Sequence, residues 1–142
     1  MPGGYFSPLA PKLQVMPQGT SLRIWCDRIG FAPAYDLPNE GFAYLQHLDG
    51  AQMMLSRCHE AWETGPLVDP FRRGTVFQIV AQHLDAVLAR CEKSGHQLHQ
   101  PQSEVWRAYS DRVGGRPEIA LQDPDGYLAL LCQPIGFRLL PA

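Results

Sequence analysis

The sequence predicts an α+β protein made of tandem βαβββ repeats that form two curved mixed sheets. Three observations predict it. First, one segment occurs twice: Leu45-Gln46-His47-Leu48-Asp49-Gly50-Ala51-Gln52-Met53-Met54-Leu55 aligns without a gap on Leu121-Gln122-Asp123-Pro124-Asp125-Gly126-Tyr127-Leu128-Ala129-Leu130-Leu131. Each copy reads strand, Asp-Gly turn, strand, because glycine supplies the positive φ a tight hairpin needs. Second, a short helical pattern precedes each copy. Leu22, Trp25, Cys26 and Ile29 in one, and Leu84, Val87, Leu88 and Cys91 in the other, recur at i, i+3, i+4, i+7. Third, each pattern stops at a glycine, Gly30 or Gly95, the residue type most common at a helix C-terminus.

The elements follow in order. Residues 1–10 are rich in Gly and Pro and read as a loose leader. Residues 12–16 form a first strand, with Thr20 and Ser21 as N-cap residues for the helix behind it. Residues 31–37 read as a strand, Pro38-Asn39-Glu40-Gly41 as a turn, and 42–47 and 51–57 as the first hairpin. Residues 58–74 carry Gly65, Pro66, Pro70 and Gly74 and make a linker. Residues 75–81 are β-branched and apolar, a strand. The second helix runs over 84–94, a short strand over 97–99, a polar loop over 100–116, and the second hairpin over 118–122 and 127–133. The chain is thus expected to be a single domain, 1–142, with modules 11–57 and 75–134 joined by the linker. The hairpin glycines lie further apart than the helix-end glycines, which fits a longer loop in the second copy.

Composition narrows the function. At 142 residues the chain can bury most of its apolar surface in one core. A net charge of −2 and an isoelectric point near 6.2 argue against nucleic acid, which needs a basic face. No apolar run approaches the ~20 residues that span a bilayer, and the first residues lack the basic start and apolar stretch of a signal peptide. Cys26, Cys58, Cys91 and Cys132 stand far apart, without Cys-x-x-Cys, and read as reduced thiols of a cytoplasmic protein.

Two stretches resemble a known family. Ser21-Leu22-Arg23-Ile24-Trp25-Cys26-Asp27-Arg28-Ile29-Gly30-Phe31 resembles the first helix of the vicinal-oxygen-chelate superfamily, and within it the bleomycin-resistance proteins. Glu118-Ile119-Ala120-Leu121-Gln122-Asp123-Pro124-Asp125-Gly126-Tyr127-Leu128 resembles their C-terminal Asp-Pro-Asp-Gly hairpin, and the likeness spans roughly residues 11–135. It implies the glyoxalase/bleomycin-resistance fold. In the enzymes of that superfamily His, Glu or Gln on the first and last strands of each unit hold a divalent Lewis-acid metal. Here those strands offer Gln14, Gln52, Gln78 (with Val76 closest to the ligand position) and Leu130. Neutral amides are weak transition-metal ligands. The resemblance therefore implies a metal-free member that needs no cofactor. Its relatives of that kind bind a drug stoichiometrically, as homodimers, in clefts built from both subunits.

No residue pattern marks a catalytic group. His47, His59, His83, His96 and His99 read as surface or edge histidines, none paired at a metal-ligand spacing. Asp123-x-Asp125-Gly126 lacks the Glu of a calcium loop, since Pro134 stands there. Gly114-Gly115-Arg116-Pro117 lacks the Lys of a phosphate loop and reads as a hairpin or bulge connector. Gly-x-Ser-x-Gly is absent. The expected binding surface is an apolar cleft with aromatic side chains at its walls and mouth. Trp62, Trp106 and Tyr109 stand in polar segments, and Tyr35, Tyr44, Gln52, Met54, Phe77 and Gln78 on strands. Either Tyr44 and Gln46 or Ala43 and Leu45 face the concavity, and local pattern leaves that parity open. The function expected is binding of a small drug or aromatic metabolite. The alternatives are a metal-dependent glyoxalase- or dioxygenase-like lyase or isomerase, and a protein-interaction module.

Overall fold

The computed structural model describes residues 6–16, 18–59, 62–71 and 74–139, without the side chains of Gln18 and Tyr109. Residues 1–5 of the expected leader lie outside that set. The alternating pattern of Lys12-Leu13-Gln14-Val15 makes strand β1 (Lys12–Val15), with Leu13 and Val15 buried. Helix α1 (Gln18–Leu22) follows and continues as a π-helix, Arg23–Ile29. Strands β2 (Phe31–Leu37), β3 (Phe42–His47) and β4 (Gln52–Arg57) complete a four-stranded sheet ordered β1-β4-β3-β2. Strands β1 and β4 run parallel; the other pairs are antiparallel.

The same order recurs. Strand β5 (Val76–Val80), helix α2 (Leu84–Ser94), β6 (Gln100–Tyr109), β7 (Arg112–Gln122) and β8 (Leu128–Cys132) give the order β5-β8-β7-β6, with β5 and β8 parallel. An additional strand, β9 (Gly136–Leu139), pairs with the first part of β7 and makes this sheet five-stranded. The α+β class and the doubled βαβββ order stand as the sequence predicts. Two compact units emerge. The first takes the described residues up to Phe71 together with Asp123–Tyr127, the second those from Gly74 to Gln122 and from Leu128 to Leu139.

In the first unit, cross-strand partners divide the sheet residues by face. Ala43 with Leu55 and Leu45 with Met53 share one face, and all four are buried. Trp25, fully buried, meets Phe31 edge-on at 6.0 Å, and Phe31 meets His47 at 5.1 Å, so the helix lies against this apolar face. Phe42 with Ser56, Tyr44 with Met54 and Gln46 with Gln52 share the other. That settles the parity. In the second unit Ile79, Ile119, Leu121 and Leu131 form the apolar face, and α2 buries Leu84, Val87 and Cys91 at the predicted spacing.

Five expectations are corrected. Thr20 and Ser21 are not caps, because the helix starts at Gln18. The first helix buries Ile24, Trp25 and Ile29 rather than the predicted stripe; its i→i+5 winding shifts which residues share a face. Residues 97–99 are not a strand, and residues 100–116 are not a loop. The latter form β6 and the start of β7, an antiparallel hairpin turning at Ser110 and Asp111, and they include the Gly114-Gly115 stretch read as a connector. His47 is not at the surface. It is buried, its Nδ1 accepts from the Asp49 N–H at 3.1 Å, and its Nε2 lies 3.3 Å from the Ile29 carbonyl. Those two contacts suit a ring that accepts at Nδ1 and donates at Nε2.

Candidate functional site

The polar face of the first unit is set by strand alternation. Lys12 pairs with Met54 and Gln14 with Ser56, so these residues join Phe42, Tyr44 and Gln52 on one side of the sheet. A bulge between Pro33 and Tyr35 brings Tyr35 opposite Tyr44. Their rings stack at 5.6 Å and 10°, and Phe42 lies 5.9 Å from Tyr35. The Tyr44 hydroxyl donates to Gln52 Oε1 at 2.7 Å, and burial pushes its pKa upward, so the phenol stays a donor. The Ser7 N–H donates to the same oxygen at 2.7 Å. Phe6 stands edge-on to Tyr44 at 5.1 Å and to Tyr35 at 6.4 Å. Beside this cluster is an open depression of about 450 Å³ lined by Lys12, Phe42, Ser56, Arg57, His59 and Trp62 among others. Lys12 Nζ sits 4.5 Å from the Trp62 ring centre and 5.6 Å from that of Phe42, a cation between two π faces.

Of the residues expected to bind ligand, Tyr35, Tyr44, Gln52 and Met54 thus share one face, and Trp62 borders the depression next to it. Phe77 and Gln78 are strand neighbours and point to opposite sides of the second sheet. Trp106 is on β6 rather than in a loop. Its indole lies flat on Gly115, where an added Cβ would be 2.5 Å from the ring, and its Nε1–H donates to Glu104 at 2.8 Å. The Arg138 guanidinium covers the ring at 3.7 Å. The Tyr109 side chain lies outside the described residues. Lys12 and Phe42 were missed by sequence reasoning, although the alternation of 12–15 carried the signal for Lys12.

In the second unit the corresponding face holds a charge cluster. Glu118, 7% exposed, takes a bidentate pair from Arg107 at 2.9 and 3.0 Å. Arg116 Nε lies 2.9 Å from the same carboxylate, close enough to pair electrostatically but not aligned for a hydrogen bond. Arg107 hydrogen bonds chiefly hold the Glu118 pKa down, against desolvation. Arg116 also donates to Gln78 Oε1 at 3.1 Å and approaches Cys132 Sγ at 3.6 Å. Burial raises the Cys132 pKa despite the neighbouring guanidinium, and the thiol faces the Ile79 carbonyl at 3.8 Å.

The second Asp-Gly turn is a buried acidic knot of the first unit. Asp123 Oδ1 accepts from the backbone N–H groups of Asp125 and Tyr127, and Oδ2 from Trp25 Nε1 at 3.1 Å. Desolvation outweighs those donors and raises its pKa to about 6. Asp125 accepts from the Met16 N–H and the Ser21 hydroxyl. The Tyr127 hydroxyl donates to the Gln14 carbonyl. Asp123 Oδ1 closes the turn on itself, and the other carboxylate oxygens tie it to the helix and to Met16 just after β1, so the knot is structural.

No protein-family model and no curated protein sequence matches this chain. Solved structures do. A glyoxylase/bleomycin resistance protein/dioxygenase domain from Frankia sp. is 19% identical, with 92% of this chain and 94% of that one covered and a TM-score of 0.62. The chain has the glyoxalase/bleomycin-resistance/dioxygenase fold. A protein of that description from Alicyclobacillus acidocaldarius (16% identity, 96% and 95% covered, TM-score 0.59) shares it. So does a virulence protein from Salmonella typhimurium (17%, 92% and 99%, TM-score 0.66).

A metal of the kind the resemblance implies for enzymes of this fold does not suit the donors present. Among the described residues no group of three or more His, Cys, Asp or Glu converges. The amide oxygens at the expected positions have protein donors: Gln14 accepts from the His59 N–H at 2.9 Å, Gln52 from Ser7 and Tyr44, and Gln78 from Arg116. Leu130 has no donor atom. A guanidinium beside Gln78 repels a second cation.

Proposed function

We propose that the chain is a metal-free small-molecule-binding protein of the bleomycin-resistance type, taking a flat aromatic ligand on the polar face of the first unit. The observation that carries this reading is the docking of Phe6 and the Ser7 N–H onto Tyr35, Tyr44 and Gln52. The chain's own aromatic ring and adjacent amide donor display the chemistry that the face accepts. A planar ligand with one N–H beside its ring would repeat both contacts, meeting the tyrosines edge-on and donating to Gln52. Lys12 and Arg57, against the single carboxylate of Glu40, give the neighbouring depression an excess of positive charge, which favours a neutral or anionic ligand over a cationic drug such as bleomycin.

The two sequence motifs also carry a homodimeric, cytoplasmic and drug-sequestering assignment into this proposal. The partly exposed Val76 and Val80 on edge strand β5 support the dimer. Calorimetric titration with 2-naphthamide, a neutral planar amide, tests the ligand class. Saturable binding that tightens in Phe6→Ala and weakens in Gln52→Leu is expected. Equal binding to all three proteins, or one equivalent of Zn, Fe, Ni or Mn in protein purified without chelator, overturns it.

A further inference from the structure

The polar face of the first unit ends in a positive charge that no carboxylate matches. Lys12 Nζ is held between the Trp62 and Phe42 rings, 4.5 and 5.6 Å from their centres. The rings attract the ammonium through their quadrupoles but supply no counter-charge. Among the described residues no carboxylate comes within ion-pair distance of Lys12 or Arg57. The Arg57 N–H donates to the Gly41 carbonyl at 2.7 Å, and its side-chain stem runs over Gly41. A Cβ added to that glycine would stand 2.8 Å from Arg57 Cβ, so the stem passes only because none is there.

Both cations border the open depression of about 450 Å³, and Glu40 is the one carboxylate among its described lining residues. With His59 neutral, that lining has one surplus positive charge. The depression is continuous with the aromatic cluster, because Phe42 meets Lys12 on one side and lies 5.9 Å from Tyr35 on the other. Strand register sets the span. Lys12 is opposite Met54, two residues along β4 from Gln52 and on the same face. That is roughly 7 Å along the strand and about 5 Å across to β1, a reach that a two-ring body covers.

We propose that the ligand of this face is an aromatic carboxylic acid, its ring against Tyr35 and Tyr44 and its carboxylate in the depression on the Lys12 ammonium. The inference rests on the aromatic-face function proposed for the first unit and adds the ligand's charge to it. Carboxylate is favoured over phosphate because the surplus is a single positive charge, and a dianion would meet Glu40 with a charge left over. Lys12 thereby acts as a specificity residue. It separates acids from their neutral isosteres, while Gln52 selects for an N–H donor in both.

Calorimetric titration of the full-length protein with 6-carbamoyl-2-naphthoate and its neutral isostere naphthalene-2,6-dicarboxamide tests the proposal. The acid should bind about three- to fivefold tighter at low salt, the worth of a solvent-exposed ion pair. That preference should shrink at high salt. Lys12 is exposed on an edge strand, so Lys12→Gln leaves the core untouched. It should abolish the preference and leave dicarboxamide binding as it was, whereas Lys12→Arg should retain the preference. Gln52→Leu should weaken both compounds. Equal affinity for the two in the wild type, or a preference that survives in Lys12→Gln or ignores salt, would overturn the anionic head; dicarboxamide binding that still depends on Gln52 would then leave the aromatic face standing. Failure of both compounds to bind would overturn the two together.

Discussion

The two Asp-Gly turns share a local sequence pattern and differ in what surrounds them. At the first, Leu48 is 84% exposed, and a Cβ added to Gly50 would meet nothing within 4 Å. At the second, Asp123 and Asp125 are buried, and a Cβ on Gly126 would sit 2.3 Å from Pro70 Cβ and 2.7 Å from its Cα. Both glycines have positive φ, +109° and +89°. One turn stands open at its tip, with Asp49 turned back onto the buried His47 ring. The other serves as a buried plug whose carboxylates order β1 and the helix. The same short-range code sets the hairpin, and tertiary surroundings decide its energetic weight.

Alanine at each glycine measures that difference most strongly. Gly126→Ala combines a strained φ with collision against backbone and should lose about 3–5 kcal/mol, whereas Gly50→Ala carries strain alone and should lose about 1–2 kcal/mol. Urea unfolding followed by circular dichroism measures both; equal losses would erase the distinction. The paired aspartates come next. Asp123→Ala strands three donors and should cost about 2–4 kcal/mol, more than Asp49→Ala, whose carboxylate lies 3.6 Å from His47.

Acidity sharpens the comparison further. Between its ordinary value of 3.8 and about 6, Asp123 holds a proton in the folded chain that the unfolded chain has released. Its contribution to stability therefore falls as pH rises across that window, by about 3 kcal/mol, and stays at the lower level above it. The difference between wild type and Asp123→Asn, followed from pH 4 to 7, should carry that slope. Glu118 has the opposite sign. Its lowered pKa adds stability at neutral pH that is lost on acidification through the folded value, and Glu118→Gln should flatten that acid limb. The smallest effect concerns the thiols. Burial raises the pKa of Cys26 to about 11 and that of Cys58 as well, so both should alkylate more slowly at pH 8 in the folded protein than in urea.

Much of the fold was legible because local signals agreed with it. The Asp-Gly hairpins, the 84–94 helix and the β-branched strand before it each rest on short-range rules. Residues 100–116 misled because Pro101, Gly114, Gly115 and Pro117 interrupt the alternation that marks a strand. Gly115 lacks a side chain since the Trp106 indole fills that space, a contact from the neighbouring strand that looks locally like a turn. The winding of the first helix was hidden for a similar reason, because apolar residues at 22, 24, 25, 26 and 29 satisfy two helical periods. At the candidate sites, Tyr35, Tyr44, Gln52 and Met54 could be named from residue type, but their shared face needed strand register. Arg116 was hidden inside the glycine stretch, and its contacts with Glu118, Gln78 and Cys132 join three strands.

The three tryptophans occupy three unlike settings. Trp25 is wholly enclosed and hydrogen-bonded to Asp123, Trp62 is 57% exposed beside Lys12, and Trp106 is pressed between Gly115 and Arg138. Their emission should therefore differ in colour and in sensitivity to quenchers, blue for the first and red for the second. The molecule carries intrinsic optical reporters at the acidic knot, at the open depression and at the edge of the second sheet. Single Trp→Phe replacements would separate the three signals without attaching a dye.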